Sequence, residues 1–456
     1  MKYFLFHITL FVLLSVLIFA LCPLLLIAQV PDTVWTRTYG GVDPDVGLAV
    51  QQTSDNGYII TGWTRSFGAG GADIYLIKAD SLGDTLWTRT YGGVLDDQGL
   101  SVQQTFDNGY IIAGWTASFG GGDIDIYLVR TDSSGDTLWT GTYGSVDRDK
   151  GNAVLQIADG GFIVAGSYTW FGSADVSLMR VAPNNCPIWW FNYGGDYHDY
   201  GYAVQATSDG GYIITGETRS FGPGTPDKSN VYIIKTDADG DTMWTRTYGT
   251  VENEVGYAVR QATDNGYIIV GSGPDQVGNP SMLIIKTDAN GDSVWLKTYC
   301  GAGWANGYAV VETDDGGFII GGETVDDIYL IKVNAAGDSL WTRTYGGDDI
   351  DAAQAIQKTC DSGYIVTGYT QSLTTNRDVW LARIEPEPGV EEQEAAIAVG
   401  KNNGVTIFSG PLVLPKDRNC RVFDITGRVI SPDKIKPGIY FIEVDGKISR
   451  KVVKIR

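Results

Sequence analysis

The chain has 456 residues, with 33 basic and 54 acidic side chains, and therefore a net charge of −21. A chain this acidic offers no broad basic surface, which excludes sequence-independent binding to nucleic acid as its function. Its hydrophobic content of 43% is too high for a disordered protein. Of the two histidines, His7 lies in an apolar leader, so histidine-based chemistry would depend on His198 alone.

The first 28 residues are almost wholly apolar behind Lys2. This pattern predicts a secretory signal peptide at residues 1–28, with cleavage after Ala28 and no transmembrane span in the mature chain. The apolar run is also long enough to cross a bilayer, so an uncleaved anchor is the alternative. The four cysteines beyond the leader lack CxxC spacing, which excludes a zinc site and leaves open a Cys300–Cys360 disulfide.

Seven tandem repeats occupy residues 29–384. In each repeat a tryptophan is followed four residues later by a tyrosine, and the period is 46 to 55 residues. A second marker, Asp-x-Gly followed by Tyr or Phe, also occurs in all seven repeats. The marker tryptophans are Trp35, Trp87, Trp139, Trp189, Trp244, Trp295 and Trp341, and the marker aspartates are Asp55, Asp107, Asp159, Asp209, Asp264, Asp315 and Asp361.

Each repeat contains four short runs of β-branched and aromatic residues, separated by Gly, Asn and Asp. Four-stranded units repeated seven times predict an all-β fold, a seven-bladed β-propeller. The run beginning at Gly47 carries small residues and is expected to be the innermost strand, a. The array begins with a fourth strand, d, at Trp35 and ends with a third strand, c, near Trp380, so these two should pair and close the ring. An open β-solenoid is the alternative, but the variable loop lengths disfavour it.

The pattern YGG…GYAVQQTSDGGYIITG resembles the roughly fifty-residue β-propeller repeats of secreted bacterial surface proteins. The resemblance covers about residues 32–384. It implies the architecture and says little about the ligand, because propellers serve as enzymes, lectins and scaffolds.

An acidic linker at residues 385–396 leads to a C-terminal module at residues 397–456, whose composition differs from that of the repeats. From Lys401 onward there are 12 basic and 5 acidic residues, a local charge of +7. The runs VFDITGRVI, PGIYFIEVDGK and RKVVKI resemble the C-terminal sorting domain of type IX secretion substrates, a small β-sandwich. This resemblance implies export across the outer membrane of a Gram-negative bacterium by the type IX machinery. An unrelated β-sandwich is the alternative.

A recurrent acid lies six residues after the marker tyrosine in six of the seven repeats, in the loop that leads from strand d to strand a. One interpretation is a carboxylate ring around one mouth of the channel, for which calcium would be the natural guest. The other is that each acid accepts hydrogen bonds from backbone N–H groups in its own turn. The acids are Asp45, Asp97, Asp149, Asp199, Glu254 and Asp351, and Ala305 is the exception.

Aromatic residues follow strand b in neighbouring repeats of the closed ring, on the same predicted face as the acids. Such rings suit the apolar faces of sugars or an apolar protein partner. Packing between blades is the alternative role. The candidate ligand-binding residues are Trp63, Trp115, Trp170 and Tyr369.

We interpret the chain as a non-catalytic, secreted or cell-surface propeller that binds a glycan or a surface protein, or acts as a scaffold. No cofactor is predicted apart from the calcium considered above. The alternative is a propeller glycoside hydrolase or lyase that uses paired carboxylates. The uniform repeats disfavour it, and no motif of a known nucleophile or phosphate loop is present.

Overall fold

A computed structural model describes residues 31–300 and 303–386, and in the C-terminal part residues 405–408, 420–424, 428–431, 436, 438–444 and 447–454. The chain divides into two compact units, Met1–Glu387 and Pro388–Arg456. The predicted signal peptide, and the predicted linker beyond residue 386, lie outside the described residues. In the part of the chain that is described, no helix is long and apolar enough to cross a membrane.

The first unit consists of seven four-stranded antiparallel sheets, here called blades 1 to 7, with strands a to d. Strands a are β2 (Asp45–Gln52), β6 (Asp97–Gln104), β10 (Lys150–Gln156), β14 (Asp199–Ala206), β18 (Val255–Gln261), β22 (Ala305–Glu312) and β26 (Asp351–Lys358). Strands b are β3 (Tyr58–Thr64), β7 (Tyr110–Thr116), β11 (Phe162–Trp170), β15 (Tyr212–Thr218), β19 (Tyr267–Pro274), β23 (Phe318–Thr324) and β27 (Tyr364–Thr370). Strands c are β4 (Asp73–Ala79), β8 (Asp125–Thr131), β12 (Ser173–Val181), β16 (Asn230–Thr236), β20 (Pro280–Thr287), β24 (Asp327–Val333) and β28 (Asp378–Ile384). Strands d of blades 1 to 6 are β5 (Thr85–Tyr91), β9 (Thr137–Tyr143), β13 (Pro187–Tyr193), β17 (Thr242–Tyr248), β21 (Ser293–Tyr299) and β25 (Ser339–Tyr345), and strand d of blade 7 is β1 (Thr33–Tyr39).

Blade 7 is completed by the first strand of the array, as the sequence predicts. β1 pairs antiparallel with β28, with Trp35 opposite Arg383 and Thr38 opposite Trp380. Val379 of β28 packs in one buried cluster with Ile60 of blade 1, so blade 7 also contacts blade 1 face to face. The ring is therefore closed by strand pairing and by side-chain packing, which confirms the seven-bladed β-propeller.

Strands b and c form the dry interior of each blade, and strand a lines a central channel. Most side chains of β3 and all of β4 are buried, because both faces of each blade are covered by neighbouring blades. The channel encloses about 530 Å³ and is lined by small and amide side chains such as Ala49 and Gln51. Gln51 Oε1 accepts a hydrogen bond from the backbone N–H of Gln104 in the next blade (2.5 Å).

The tryptophan–tyrosine marker joins each blade to the next one. Trp87, on strand d of blade 1, meets the ring of Tyr110 in blade 2 edge-on, with centroids 5.8 Å apart. The Tyr91 hydroxyl donates to the carbonyl of Gly135 in the c–d hairpin of blade 2 (2.6 Å). Gly135 has φ of 79°, a left-handed conformation that glycine adopts without strain.

The Asp-x-Gly marker holds a cation in strand c of the same blade. The Lys235 side chain is 2% exposed, and its Nζ lies 2.9 Å from Asp209 in the turn between strands a and b. This ion pair and the hydrogen bonds from Thr207 and Gly211 lower the pKa of Asp209 to about 2, against the opposing effect of its burial. The same pair occurs in all seven blades. The pairs are Lys78–Asp55, Arg130–Asp107, Arg180–Asp159, Lys235–Asp209, Lys286–Asp264, Lys332–Asp315 and Arg383–Asp361.

In the second unit, the described strands form one five-stranded sheet in the order β29-β33-β32-β30-β31. The three runs that resemble a sorting domain provide four of its strands, and β29 pairs parallel to β33. The second layer of the predicted sandwich would fall outside the described residues. The strands are β29 (Val405–Phe408), β30 (Cys420–Asp424), β31 (Val429–Ile430), β32 (Gly438–Val444) and β33 (Lys447–Lys454).

The disulfide that the sequence left open is not formed. Cys300 and Cys360 are both free and exposed, as is Cys186. Cys300 follows strand d of blade 5, whereas Cys360 lies in the a–b turn of blade 7, so the two residues belong to blades that are not neighbours. Cys360 Sγ instead lies 3.4 Å from Asn56 Oδ1 of the adjacent blade 1.

Candidate ligand-binding face

The d–a loops and the b–c loops meet on one side of the ring, which we call the loop face. Ser66, in the b–c loop of blade 1, donates a hydrogen bond to Asp45 Oδ2 (2.7 Å) and contacts the Asp43 carbonyl (2.8 Å). This arrangement agrees with the sequence prediction that both loop types share a face. The acids and aromatic residues proposed from the sequence can therefore be located together.

The six recurrent acids are buried within their own turns rather than displayed at the channel mouth. Asp45 Oδ2 accepts hydrogen bonds from the backbone N–H of Gly41 (2.8 Å) and from Ser66. Asp199 and Asp351 make equivalent contacts with Ser220 and Ser372. All six acids are at most 2% exposed, and this set consists of Asp45, Asp97, Asp149, Asp199, Glu254 and Asp351. Their geometry corresponds to the local, turn-stabilising interpretation.

Most of these acids face a second carboxylate, which comes from strand c of the preceding blade. At each of these junctions a glycine packs against both carboxyl groups. A Cβ at Gly40 would lie only 2.1 Å from Asp378 Oδ1 and 2.7 Å from Asp45 Oδ2, so the two carboxylates are near neighbours at the junction between blades 7 and 1. Burial raises the pKa of Asp378, and the facing Asp45 raises it further. The pairs are Asp45 with Asp378, Asp97 with Asp73, Asp149 with Asp125, Asp199 with Asp175, and Asp351 with Asp327.

The junction between blades 4 and 5 replaces one aspartate with Asn230. Its Nδ2 donates to the carbonyls of Phe221 (3.3 Å) and Pro223 (2.9 Å), which fixes the amide so that Oδ1 faces Glu254. Asn230 Oδ1 and Glu254 Oε2 have no hydrogen-bond partner among the described residues. Two facing acceptors repel unless a proton or a cation lies between them, and burial raises the pKa of Glu254.

The described residues contain no group of three or more His, Cys, Asp or Glu side chains placed to hold a metal ion. Each of the six junctions that carry a recurrent acid offers two carboxyl groups or a carboxyl and an amide, whereas Ca²⁺ takes six to eight oxygen ligands. Backbone carbonyls and water would have to supply the remainder. Calcium binding therefore stays the less favoured of the two interpretations of the acids, and it needs a direct test.

Trp63 lies at the junction of blades 1 and 7, and Tyr369 of blade 7 is linked to the same junction through Arg377. Trp63 lines a hollow of about 530 Å³ with the polar side chains of Arg65, Gln371 and Asn376, which we call the Trp63 hollow. Arg377 also lines this hollow, and its guanidinium lies 4.4 Å from the centroid of the Tyr369 ring. The arrangement joins partly exposed aromatic rings to hydrogen-bonding groups.

The other two predicted aromatic residues lie apart from this hollow. The Trp115 ring is covered by Lys150, whose Nζ is 5.4 Å from its centroid. Trp170 is 58% exposed at the end of β11, stacked on Tyr168 with centroids 6.2 Å apart and next to Phe171, which is 90% exposed. The four predicted aromatic residues thus occupy three separate places on one face, and they do not form one continuous platform.

A second polar hollow, between blades 3 and 4, was not predicted from the sequence. It encloses about 550 Å³, and we call it the His198 hollow. Lys150 and Asn152 come from strand a of blade 3, whereas His198 and Tyr200 come from blade 4. The sequence signal was the pairing of His198 with Tyr200, together with the run Arg148-Asp149-Lys150, which occurs in repeat 3 only.

The fold defines the protein as a closed seven-bladed β-propeller followed by a small β-sheet module.

No protein-family model and no curated protein sequence matches the chain. Solved structures that resemble it include the following three. A protein of unknown function from Dyadobacter fermentans has 10% identity and a TM-score of 0.45, over 78% of this chain and 99% of that one. Sqt1 from Chaetomium thermophilum has 10% identity and a TM-score of 0.46, over 74% and 82%. The Pan2 WD40 domain from Neurospora crassa has 9% identity and a TM-score of 0.49, over 79% and 96%. The architecture assigned here rests on the strand pairing within this chain, not on these likenesses.

Proposed function

We propose that the protein is a non-catalytic propeller of the cell surface or secreted medium that binds carbohydrate on its loop face. The Trp63 hollow is the observation that carries the proposal. The flat face of Trp63 suits the C–H face of a sugar ring, and the guanidinium of Arg65 and the amide of Asn376 suit its hydroxyl groups.

The proposed localisation depends on the two ends of the chain. The apolar leader at residues 1–28 would direct the chain to the periplasm. The C-terminal module, with its local charge of +7 in an otherwise acidic chain, would then engage the type IX secretion machinery, as its resemblance to sorting domains implies. A binding module presented outside the cell is consistent with a loop face rich in polar and aromatic groups.

A protein partner is the second candidate, and the exposed corner at Trp170 and Phe171 favours it. These rings protrude from the end of β11, and Tyr168 stacks on Trp170. Adjacent exposed aromatic residues of this kind are common at protein interfaces. The corner lies in blade 3, whereas the Trp63 hollow lies between blades 1 and 7.

An enzyme using paired carboxylates is less well supported by the geometry. The paired acids at the blade junctions lie under glycines, and Asp45 and Asp97 are 0% exposed. A general acid or base must come within hydrogen-bonding distance of its substrate. The same pairing also recurs at five junctions, which is typical of a structural element rather than of one active centre.

The proposal is tested by applying the full chain to an array of plant, animal and bacterial glycans, followed by titration of each hit. Trp63→Ala should weaken binding about tenfold or more, the effect of losing a central aromatic contact. Trp304→Ala is the matched control, since Trp304 is 36% exposed in the d–a loop of blade 6, away from the Trp63 hollow. A melting curve for each variant separates lost binding from lost folding. Equal binding by the Trp63 variant and the wild type would refute the assigned hollow.

A further inference from the structure

The His198 hollow lies where blade 3 lacks a bulky side chain that three other blades possess. In blades 1, 2 and 7, the residue that follows the last glycine of strand b is aromatic, and it lies opposite strand a of the same blade. In blade 3 this position is Ser167, which lies opposite Lys150. A serine leaves open the space that an indole or phenol ring fills elsewhere.

The open space is bordered by cations that have few carboxylate partners. Lys150 is half-buried and forms no ion pair with a described residue, and its Nζ lies 5.4 Å from the centroid of the Trp115 ring. Burial lowers the pKa of Lys150, and the neighbouring Arg148 lowers it further. Arg148 forms an exposed ion pair with Asp123 (3.4 Å), and Asp147 also lines the hollow. An anionic group that entered here would give Lys150 the counter-ion that it lacks.

The opposite wall is an aromatic stack contributed by blade 4. The rings of His198 and Tyr200 are nearly parallel, with centroids 5.9 Å apart, and Tyr200 stacks on Tyr202 at 6.5 Å. His198 Nδ1 accepts a hydrogen bond from the backbone N–H of Ala174 (3.2 Å), so the neutral imidazole carries its proton on Nε2. Asn152 donates to the Gly201 carbonyl (2.7 Å), which leaves its side-chain oxygen as an acceptor.

We propose that the His198 hollow binds a sugar that carries a carboxylate, a uronic acid unit. The Lys150 ammonium would hold the carboxylate, the stacked rings of blade 4 would cover the apolar face of the sugar, and Asn152 would accept a hydrogen bond from a hydroxyl group. The hollow is large enough for one sugar unit of a chain that continues across the loop face. The inference rests on the proposed carbohydrate-binding function and specifies its ligand.

The test uses the full chain with tetragalacturonate as the probe and its fully methyl-esterified form as the uncharged control. Wild-type protein should bind the acid at least about tenfold more tightly than the ester, because only the acid forms the ion pair with Lys150. Lys150→Met removes the charge but keeps an apolar stem over Trp115, and it should abolish this preference. Lys297→Met is the matched control, because Lys297 also lies over a tryptophan, at 5.9 Å from Trp295, on the outer strand β21.

Ser167→Trp provides a second variant that should fold, since blades 1 and 2 carry tryptophan at the same register. It should fill the hollow and reduce tetragalacturonate binding about tenfold or more, with an unchanged melting temperature. Equal affinity for acid and ester, or full binding by both hollow variants, would overturn the inference. If one of these results is found but neutral glycans still bind and Trp63→Ala weakens their binding, the proposed function stands while this inference fails. If a polyglutamate peptide competes as well as tetragalacturonate, the site recognises charge and not sugar, which also overturns it.

Discussion

Replacing Asp175 with asparagine should stabilise the propeller near neutral pH. Asp175 lies near the start of strand c of blade 3 and faces the buried Asp199 of blade 4, where Gly194 packs against both carboxyl groups. Partial burial, and to a lesser extent the facing Asp199 carboxylate, raise the pKa of Asp175 to about 6. Asp175 Oδ1 has no hydrogen-bond donor among the described residues. An asparagine at this position removes the charge and can donate its N–H to Asp199.

The magnitude and its sign follow from the two pKa values of Asp175. In the unfolded chain the group titrates near 3.8, so the folded state binds the proton more tightly. The resulting stability is complete below that value and is lost as the pH rises through about 6. A shift of this size corresponds to at most about 3 kcal/mol, which we reduce to about 1–2 kcal/mol because Asp175 is partly exposed to solvent.

The assay is urea unfolding of the full chain, followed by tryptophan fluorescence, at about pH 4 and about pH 7.5. Asp175→Asn should raise the free energy of unfolding at the higher pH and change it little at the lower one. Asp227→Asn is the matched control, since it makes the same charge change in an exposed loop. If Asp175→Asn destabilised the protein at neutral pH, Asp175 would have to be a favourably held carboxylate, and the reasoning about the junction pairs would be refuted.

Four further predictions concern ion pairing, closure, export and calcium. Asp209→Asn should cost about 1–3 kcal/mol at neutral pH, because it removes the carboxylate partner of the buried Lys235, whose Nζ keeps its hydrogen bond to the Thr236 carbonyl, and because Asp209 itself is half-exposed. Since the pKa of Asp209 is lowered to about 2, the difference between variant and wild type should shrink as the pH falls from 4 towards 2, and a constant difference in melting temperature would contradict this. Deleting residues 32–39 should expose the edge of β28, lower the melting temperature and promote self-association in size-exclusion chromatography, whereas an unchanged melting curve would argue against closure. Removing residues 389–456 should leave a folded propeller in the periplasm of a host with type IX secretion, and normal surface display of the truncated chain would refute the sorting role. Two carboxylates fall short of a calcium ligand set, so the melting temperature should be the same in CaCl₂ and in EDTA; a calcium-dependent rise that Asp45→Asn abolishes would restore the ring as a metal site.

The architecture could be predicted from the sequence because its signals are local and repeat seven times. The residues Trp35 and Trp380 identified an unpaired strand at each end of the array, and the structure pairs those two strands. The Asp-x-Gly marker identifies the repeats, but its spacing alone does not show the ion pair that each marker aspartate forms. The signal was available, since every strand c carries one basic residue, such as Lys78 or Lys235, within an otherwise apolar run.

The candidate site was harder to predict, because it depends on contacts between blades. Asp175 and Asp199 belong to different repeats, and nothing in either repeat shows that their carboxylates face each other. Ser167 looks like ordinary variation in a repeat until the strand register places it opposite Lys150. The burial of the six acids likewise follows from the way the d–a turn folds over them, which the spacing of the acids does not specify.

The pairing of β1 with blade 7 constrains the order in which the blades can form during synthesis. A ribosome, or a membrane channel, releases the chain from its N-terminus, so β1 emerges first and its partner β28 emerges after every other strand of the ring. Six sheets can form from neighbouring segments, but the seventh must unite the two ends of the array, and contacts so distant in sequence form late. Until β28 is available, β1 has no strand partner and the ring cannot close. A propeller of this kind can therefore complete its fold only after the last blade has been synthesised.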